Sequence, residues 1–255
     1  MIGYSVFWKG RGFGEPLVIS LLANILTDNG VPTFYDQHRH TRGLVDCPLV
    51  DRSENSPHKG QLKKIRPKYI LSEEPIIFQY IRQAEEITGK KIKVTRDYVP
   101  VLYHDISEIP AVDVAMNTRT GILSIYRDWP YFDQLKKLFR KNNISYIDLD
   151  RNKIFNIESL NYVKKAKLYL GLESGRSHYV SQFANGKALI LQSGFATSDF
   201  WAYVYKYDYL DIDVPCRPCW IDRLLISQGK ICPYNHKCMK KLTVDYVFEE
   251  VRKKL

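Results

Sequence analysis

Short apolar runs and amphipathic segments alternate along this chain, separated by glycine, proline and polar residues. The apolar runs predict buried strands, and the segments with helical apolar spacing predict helices. The predicted strands cover residues 2–8, 32–35, 111–116, 144–149, 167–170 and 188–191. The predicted helices cover residues 16–27, 72–88, 131–141, 157–165, 179–184, 199–205 and 244–253. This alternation predicts an α/β fold with parallel sheets, in which ligands bind at the carboxyl ends of strands.

Two stretches do not follow the alternating pattern. Residues 38–69 are rich in loop-forming residues, with prolines at positions 48, 57 and 67. Residues 92–104 form an irregular connector that contains Pro100, which is typical of a boundary between domains. We therefore expect one domain to end and a second to begin close to residue 105.

Composition narrows the class of protein. The chain has 255 residues, of which 45% are hydrophobic and 13% aromatic, so a folded core is expected rather than disorder. The apolar stretch at 17–26 is too short to cross a bilayer, and no charged-then-apolar leader is seen, which predicts a cytoplasmic protein. The net charge of +10 suits nucleic acid, anionic lipid surfaces or phosphorylated small molecules. Dispersed lysines and arginines are equally typical of an ordinary solvated surface.

The turn at residues 171–178 is the first candidate site, because it joins a predicted strand to a predicted helix. Backbone N–H groups at a helix start favour a bound phosphate, and Gly175 allows a close approach. Ser174 and His178 can add donors, and Glu173 can accept from a sugar or ribose hydroxyl. The alternative is a capping turn in which Glu173 and Ser174 only satisfy the helix.

The second candidate is the turn at residues 8–17, which has glycines at positions 10, 12 and 14. Its spacing matches neither the dinucleotide-binding G-x-G-x-x-G pattern nor a Walker loop. Glu15, expected at the tip of this flexible turn and close to a helix start, is a candidate general base. The alternative is an acidic residue that only stabilises the helix N-terminus.

The third candidate follows the first predicted strand of the C-terminal half, where Thr118 and Arg119 lie after residues 111–116. Arg127 precedes the next helix, where a phosphate could also bind. The alternative is an exposed arginine beside Trp129, with the indole packed in the core.

The cysteines form a fourth candidate with the spacing C-x2-C-x12-C-x5-C: Cys216, Cys219, Cys232 and Cys238. Four thiolates at this spacing suit a tetrahedral metal site, with zinc as the default and iron as the other option. Disulfide pairing is the alternative, and it is disfavoured in a reducing compartment.

Together these segments resemble the heptosyltransferases of glycosyltransferase family 9. Residues 8–17 resemble the family's first turn, which usually ends Gly-Asp-x-Leu and here ends with Gly14, Glu15, Pro16 and Leu17. Residues 127–130 resemble its Lys-x-Trp-Pro, and residues 171–178 resemble its Asp-Thr-Gly-x-x-His. The cysteine segment is similar to the metal-binding tail of members that glycosylate autotransporter proteins.

The resemblance implies a GT-B-like fold with two Rossmann-type domains. A reduced acceptor domain would cover residues 1–105, a nucleotide-sugar domain 106–210, and a cysteine metal finger with a terminal helix 211–255. The implied activity is an inverting transfer of a heptose-type sugar from a nucleoside-diphosphate donor such as ADP-heptose. The acceptor would be a hydroxyl of a glycan or protein, in lipopolysaccharide or glycoprotein biosynthesis.

The resemblance also implies roles for individual residues. Glu15 would be the general base. Donor binding is assigned to Thr118, Arg119, Arg127, Glu173, Ser174, Gly175 and His178. The four cysteines would hold a structural zinc or iron, with no metal at the reaction centre.

The expected partners are a nucleotide sugar and a glycan or protein acceptor. Peripheral contact with the inner membrane surface and homo-oligomerisation stay open, and nucleic acid is not expected. Two competing hypotheses are a non-catalytic zinc-knuckle module that binds nucleic acid and a degenerate transferase used for assembly.

Overall fold

A computed structural model gives the structure of most of the chain. It describes residues 4–7, 14–36, 45–46, 50–51, 63–68, 74–95, 98, 101–102, 109–120, 127–150, 157–181, 184, 187–202, 207–219, 232 and 234–255. The described strands are β1 (Tyr4–Phe7), β2 (Thr33–Asp36), β3 (Val45–Asp46), β4 (Val50–Asp51), β5 (Lys63–Ile65), β6 (Val101–Leu102), β7 (Val114–Met116), β8 (Tyr146–Asp148), β9 (Leu168–Leu172), β10 (Ala188–Leu191) and β11 (Asp208–Leu210). The described helices are α1 (Gly14–Asp28), α2 (Ile76–Thr88), α3 (Phe132–Lys141), α4 (Ile157–Lys165), α5 (Gly175–Ser181), α6 (Ser198–Ala202), α7 (Lys237–Lys240) and α8 (Val244–Lys254).

The chain divides into two compact units, the first formed by residues 1–104 and 199–205. Its four-stranded sheet has the order β4-β2-β1-β5, and every pair of neighbours is parallel. Strands β3 and β6 form a separate antiparallel pair. Helix α1 packs against β1, β2 and α2, and its residues 17–23 are all buried. A helix that is apolar on every side is stable only when it is covered on every side, as α1 is here.

The second unit is formed by residues 105–198 and 206–255. Its five-stranded sheet has the order β11-β10-β9-β7-β8, again parallel throughout. The chain leaves β7 for β8 on one side and returns to β9 on the other side of β7. Such a reversal opens a crevice at the carboxyl ends of the two central strands, which is where open α/β sheets bind ligands.

The second unit is held together by apolar strands and by helices α3 and α8. All residues of β7, β9 and β10 are buried, as expected for strands covered on both faces. Helix α3 contributes Leu135 and Phe139 to this core, and α8 contributes Val247 and Val251. The buried Trp129 indole donates to the Leu242 carbonyl at 2.8 Å, which joins the start of α3 to the start of α8.

The structure differs from the sequence-based elements mainly at their ends. Helix α5 begins at Gly175 rather than at residue 179, because Ser174 caps it directly after β9: its hydroxyl accepts the Ser177 N–H at 3.3 Å. Helix α1 begins at Gly14 rather than at residue 16, and α2 begins at Ile76 rather than at residue 72. Position 72 lies outside the described residues.

Several short elements were not predicted from the sequence. Strands β3, β4 and β5 lie within the region expected to be loop-rich, and β6 lies within the expected connector. Strand β11 and helix α7 were also missed. Elements of two to four residues carry too little periodicity to be recognised, and the strands among them pair with neighbours distant in sequence. Among the helices that the structure describes, none is both long and apolar enough to cross a membrane.

Candidate functional site

The crevice between β7 and β9 brings together two of the predicted motifs. Asn117, directly after β7, donates its backbone N–H to the Leu170 carbonyl of β9 at 3.0 Å. The polar residues that follow each strand, starting at Thr118 and at Glu173, therefore leave the sheet at the same edge. The strand order, not the sequence separation, places them side by side.

Arg127 and Glu173 form a buried ion pair at this edge. The Arg127 Nη1 atom donates to the Glu173 Oε2 atom at 2.7 Å and to the Glu173 carbonyl at 3.2 Å. The exposed fractions of the two side chains are 13% and 2%. The guanidinium carbon also lies 4.4 Å from the centre of the Phe195 ring, within the range of a cation–π contact. Arg127 is thus a largely buried, oriented cation, and not the exposed arginine of the alternative interpretation.

The same carboxylate faces His178. Burial raises the pKa of Glu173, but the Arg127 guanidinium and the His178 imidazole outweigh it and hold the pKa at about 2. The His178 Nε2 atom lies 3.7 Å from Glu173, and its Nδ1 atom lies 2.8 Å from the Tyr207 hydroxyl. Tyr207 was not found from the sequence, since no motif marks it.

The turn that carries Glu173 is shaped by close packing. A Cβ atom on Gly171 would come within 2.5 Å of the Ser177 hydroxyl and 2.6 Å of the Tyr169 hydroxyl. Only glycine leaves room for these two hydroxyls, which lie 2.8 Å apart. Ser174 caps α5, as the alternative interpretation had it for this residue, whereas Glu173 pairs with Arg127 instead of satisfying the helix.

Thr118 and Arg119 lie at the predicted edge, and their backbone N–H groups already have an anionic partner. The Asp150 Oδ2 atom accepts the Thr118 N–H at 2.6 Å and the Arg119 N–H at 3.0 Å. Its other oxygen pairs with Arg176 in the first turn of α5. Asp150 was not among the sequence candidates, although its place directly after β8 is the signal that marked the other sites.

A second buried pair lies beside it. The Lys136 Nζ atom is 2.6 Å from the Asp148 Oδ2 atom, with 7% and 4% of these side chains exposed. The Asp148 Oδ1 atom accepts the Thr118 hydroxyl at 3.0 Å. Both donor groups of Thr118 are therefore engaged by the two aspartates at the end of β8.

Glu15 belongs to the first unit and is the second residue of α1, where its side chain is partly buried. It lies in the first helical turn rather than at the tip of a loop. This position suits an acid that stabilises the helix N-terminus and does not remove its predicted role as a base. The glycine-rich residues 8–13 that precede it lie outside the described part of the chain.

The four C-terminal cysteines are free thiols. No group of three or more histidine, cysteine or acidic side chains among the described residues has an arrangement that could hold a metal ion. Burial, together with the nearby Cys238, Cys232 and Cys216, raises the pKa of Cys219 to about 12. The segment between Cys219 and Cys232 lies outside the described residues, so the metal finger stays a prediction.

Comparison with known proteins finds similar structures but no similar sequences. The sequence matches no protein-family model and no curated protein sequence. The structure is similar to the dodecameric iron-containing glycosyltransferase TibC of enterotoxigenic E. coli H10407, with a TM-score of 0.67 and 12% identity over 99% of this chain and 79% of TibC. It is similar to a glycosyl transferase family 9 protein of Veillonella parvula DSM 2008, with a TM-score of 0.56 and 11% identity over 99% and 97% of the two chains. It is similar to the E. coli heptosyltransferase WaaC with ADP, with a TM-score of 0.56 and 9% identity over 99% and 100%.

At sequence identities of 9–12%, the similarity of the structures shows a shared fold and nothing further. The chain has the α/β fold with parallel sheets that GT-B-like heptosyltransferases share, which confirms that part of the sequence-based prediction.

Proposed function

We propose that this chain is an inverting glycosyltransferase that moves a heptose-type sugar from a nucleoside-diphosphate donor such as ADP-heptose to a glycan or protein hydroxyl. The observation that carries the proposal is the buried Arg127–Glu173 pair at the sheet's switch point. Two proteins with this fold have been solved with matching ligands, WaaC with ADP and TibC with ADP-D-beta-D-heptose. Such an activity would serve the biosynthesis of lipopolysaccharide or of a glycoprotein.

We assign donor binding to the domain over residues 106–210 and acceptor binding to the domain over 1–105. The Arg127 guanidinium would donate to the diphosphate, because its planar fork suits phosphate oxygens and Phe195 and Glu173 hold it in place. Glu173 is ionised at neutral pH and can accept a hydrogen bond from a sugar hydroxyl. His178 would add a donor beside it.

The reaction follows from these roles. Glu15 takes the proton of the acceptor hydroxyl while the acceptor oxygen attacks the anomeric carbon from the face opposite the diphosphate. The bond from the anomeric carbon to the diphosphate oxygen breaks, and its electron pair leaves with the nucleoside diphosphate. Arg127 stabilises the charge that develops on this leaving group, and the anomeric configuration inverts.

Donor binding is tested by thermal-shift measurements with ADP-, GDP-, UDP- and CDP-sugars, followed by calorimetry. We expect selective stabilisation by one nucleotide, and Glu173→Ala and His178→Ala should each weaken its binding by about 1–3 kcal/mol. Glu249→Ala, at an exposed position on α8, is the control. Unchanged affinity in both site variants would show that the donor binds elsewhere.

The base is tested with Glu15→Gln, which keeps the size of the side chain and removes its basicity. Turnover should fall by roughly 10²–10⁴-fold with donor affinity unchanged. Glu86→Gln, exposed on α2, is the control. Normal turnover in the Glu15 variant rules out this base, and wild-type protein that binds a donor but never transfers it supports a degenerate transferase.

We further propose that Cys216, Cys219, Cys232 and Cys238 hold one structural zinc or iron ion. Four thiolates are the ligand type that suits either metal, the other three cysteines affect the pKa of Cys219, and TibC is iron-containing. Gly194 supports the set through its backbone: its carbonyl accepts the Cys219 N–H at 2.8 Å, and its N–H donates to the Cys238 sulfur.

Elemental analysis of freshly purified protein tests the metal. We expect about one equivalent of zinc or iron per chain, and its loss in Cys232→Ser. Because TibC is dodecameric, the size of the particle in solution is measured with and without metal. Less than about a tenth of an equivalent in the wild type would defeat the metal proposal.

A further inference from the structure

The crevice contains a polar ring that none of the proposed catalytic steps uses. Its members come from four segments of the second unit: Asn117 after β7, Asp150 after β8, Tyr169 in β9, and Arg176 and Ser177 in α5. Three of these side chains, those of Asn117, Tyr169 and Ser177, are completely buried.

Hydrogen bonds close the ring. The Tyr169 hydroxyl donates to the Asn117 Oδ1 atom at 2.6 Å and lies 2.8 Å from the Ser177 hydroxyl. The Asn117 amide nitrogen donates to the Asp150 Oδ2 atom at 3.3 Å. The Asp150 Oδ1 atom pairs with Arg176, which is the neighbour of Ser177 in the chain. Burial raises the pKa of Tyr169, so its hydroxyl stays a proton donor at any working pH.

Asp150 is the one anion in this ring, and it fills a place built for an anion. Its Oδ2 atom accepts two successive backbone N–H groups, those of Thr118 and Arg119, and only 6% of its side chain is exposed. Successive N–H groups that converge on one point form a concave anion site. A phosphate brought to the same two N–H groups would meet the carboxylate's own negative charge and would have to displace it from four donors.

We propose that Asp150 is a positioning residue that permanently occupies the anion cradle of Thr118 and Arg119 and ties it to the first turn of α5. The donor diphosphate is then bound on the Arg127 side of the crevice and not by the backbone after β7. Removing the carboxylate would release the loop after β7 and Arg176. Because Arg176 lies in the turn of α5 that also carries His178, this donor-binding side chain would be misplaced although the Arg127–Glu173 contact itself is not cut. This inference rests on the proposed function only for its statement about the donor.

The test replaces the carboxylate and then supplies it from solution. Asp150→Ala should lower the melting temperature, and acetate should raise it again relative to chloride at equal ionic strength, because acetate refills the cradle. Asp150→Asn still fills the space and should not respond to acetate. Glu249→Ala, whose side chain is 54% exposed on α8, is the control and should behave like the wild type.

The second measurement is the affinity for ADP by calorimetry. In Asp150→Ala it should fall by about ten- to a hundredfold, the cost of a misplaced binding group, and acetate should restore part of it. Asp150→Asn should show a several-fold loss, and it keeps the test open if the alanine variant does not fold.

Three results would overturn the proposal: no acetate response in Asp150→Ala, an Asp150→Asn variant that binds ADP as the wild type does, or tighter ADP binding in Asp150→Ala. The last would mean that the cradle is a diphosphate site that Asp150 obstructs. If no variant and no wild-type protein binds ADP, the donor assignment fails, and the acetate response still decides the role of Asp150.

Discussion

Replacement of Glu173 by glutamine probes the central ion pair with the smallest change in shape. The amide still accepts a hydrogen bond, but the Arg127 guanidinium keeps its charge with only 13% of its side chain exposed. Removing one partner of a buried pair typically costs about 3–5 kcal/mol. The pKa of Glu173 gives a similar free energy for the loss of this pair: a decrease in pKa from 4.5 to about 2 corresponds to about 3 kcal/mol.

The pH dependence has a definite sign. Because the pKa of this carboxyl is lower in the folded state, its ionisation stabilises the fold. This contribution to the free energy of unfolding is complete above about pH 4.5 and is lost as the pH falls towards 2. We therefore expect wild type and Glu173→Gln to differ in free energy of unfolding by about 3 kcal/mol near pH 7, and by progressively less below about pH 4.

Urea unfolding followed by tryptophan fluorescence measures this difference, since Trp129 is buried in the same unit. The matched control is Glu249→Gln on α8, where 54% of the glutamate side chain is exposed and its partner Arg252 lies at 3.3 Å. The control should change the free energy of unfolding by less than about 0.5 kcal/mol. A loss below about 1 kcal/mol in Glu173→Gln, with a pH profile parallel to that of the wild type, would refute the reasoning.

Three further predictions concern stability and use the same unfolding assay. Gly171→Ala should cost about 1–3 kcal/mol because its Cβ meets two hydroxyls within 2.6 Å, whereas at Gly194 the nearest atom is 3.6 Å away and alanine should be nearly neutral. Lys136→Met should cost about 3–5 kcal/mol, because it leaves the buried Asp148 carboxylate without its cationic partner. Lys137→Met, at an exposed position on the same helix, should cost less than about 0.5 kcal/mol. Equal losses within either pair would contradict these expectations. Thr243→Ala should cost about 1 kcal/mol, since it removes the side chain that caps α8, and wild-type stability in this variant would show that the cap contributes nothing.

The longer elements of this fold could be predicted from local patterns. Strand β10 at Ala188–Leu191 and helix α3 at Phe132–Lys141 lie where the apolar pattern placed them, because burial of a strand or a helix face imposes its period on neighbouring residues. The same local reasoning marked Glu173 and Arg127 as candidates, since each is a charged side chain next to the end of a strand or the start of a helix. Whether they and the other predicted site residues contact a donor stays a prediction.

The tertiary structure decided which charged side chains pair with one another. Arg127 and Glu173 are 46 residues apart, and Asp150 lies 26 residues from Arg176, so no local pattern connects them. They meet because β7 pairs in parallel with β8 on one side and with β9 on the other, which sets the carboxyl ends of all three strands along one edge. The sequence by itself therefore determined the alternating elements and the chemical groups that follow each strand. Only the strand order decided that Asp150 fills the cradle after β7 and that Arg127 lies against Glu173, because contacts of long sequence separation depend on the packing of the whole sheet.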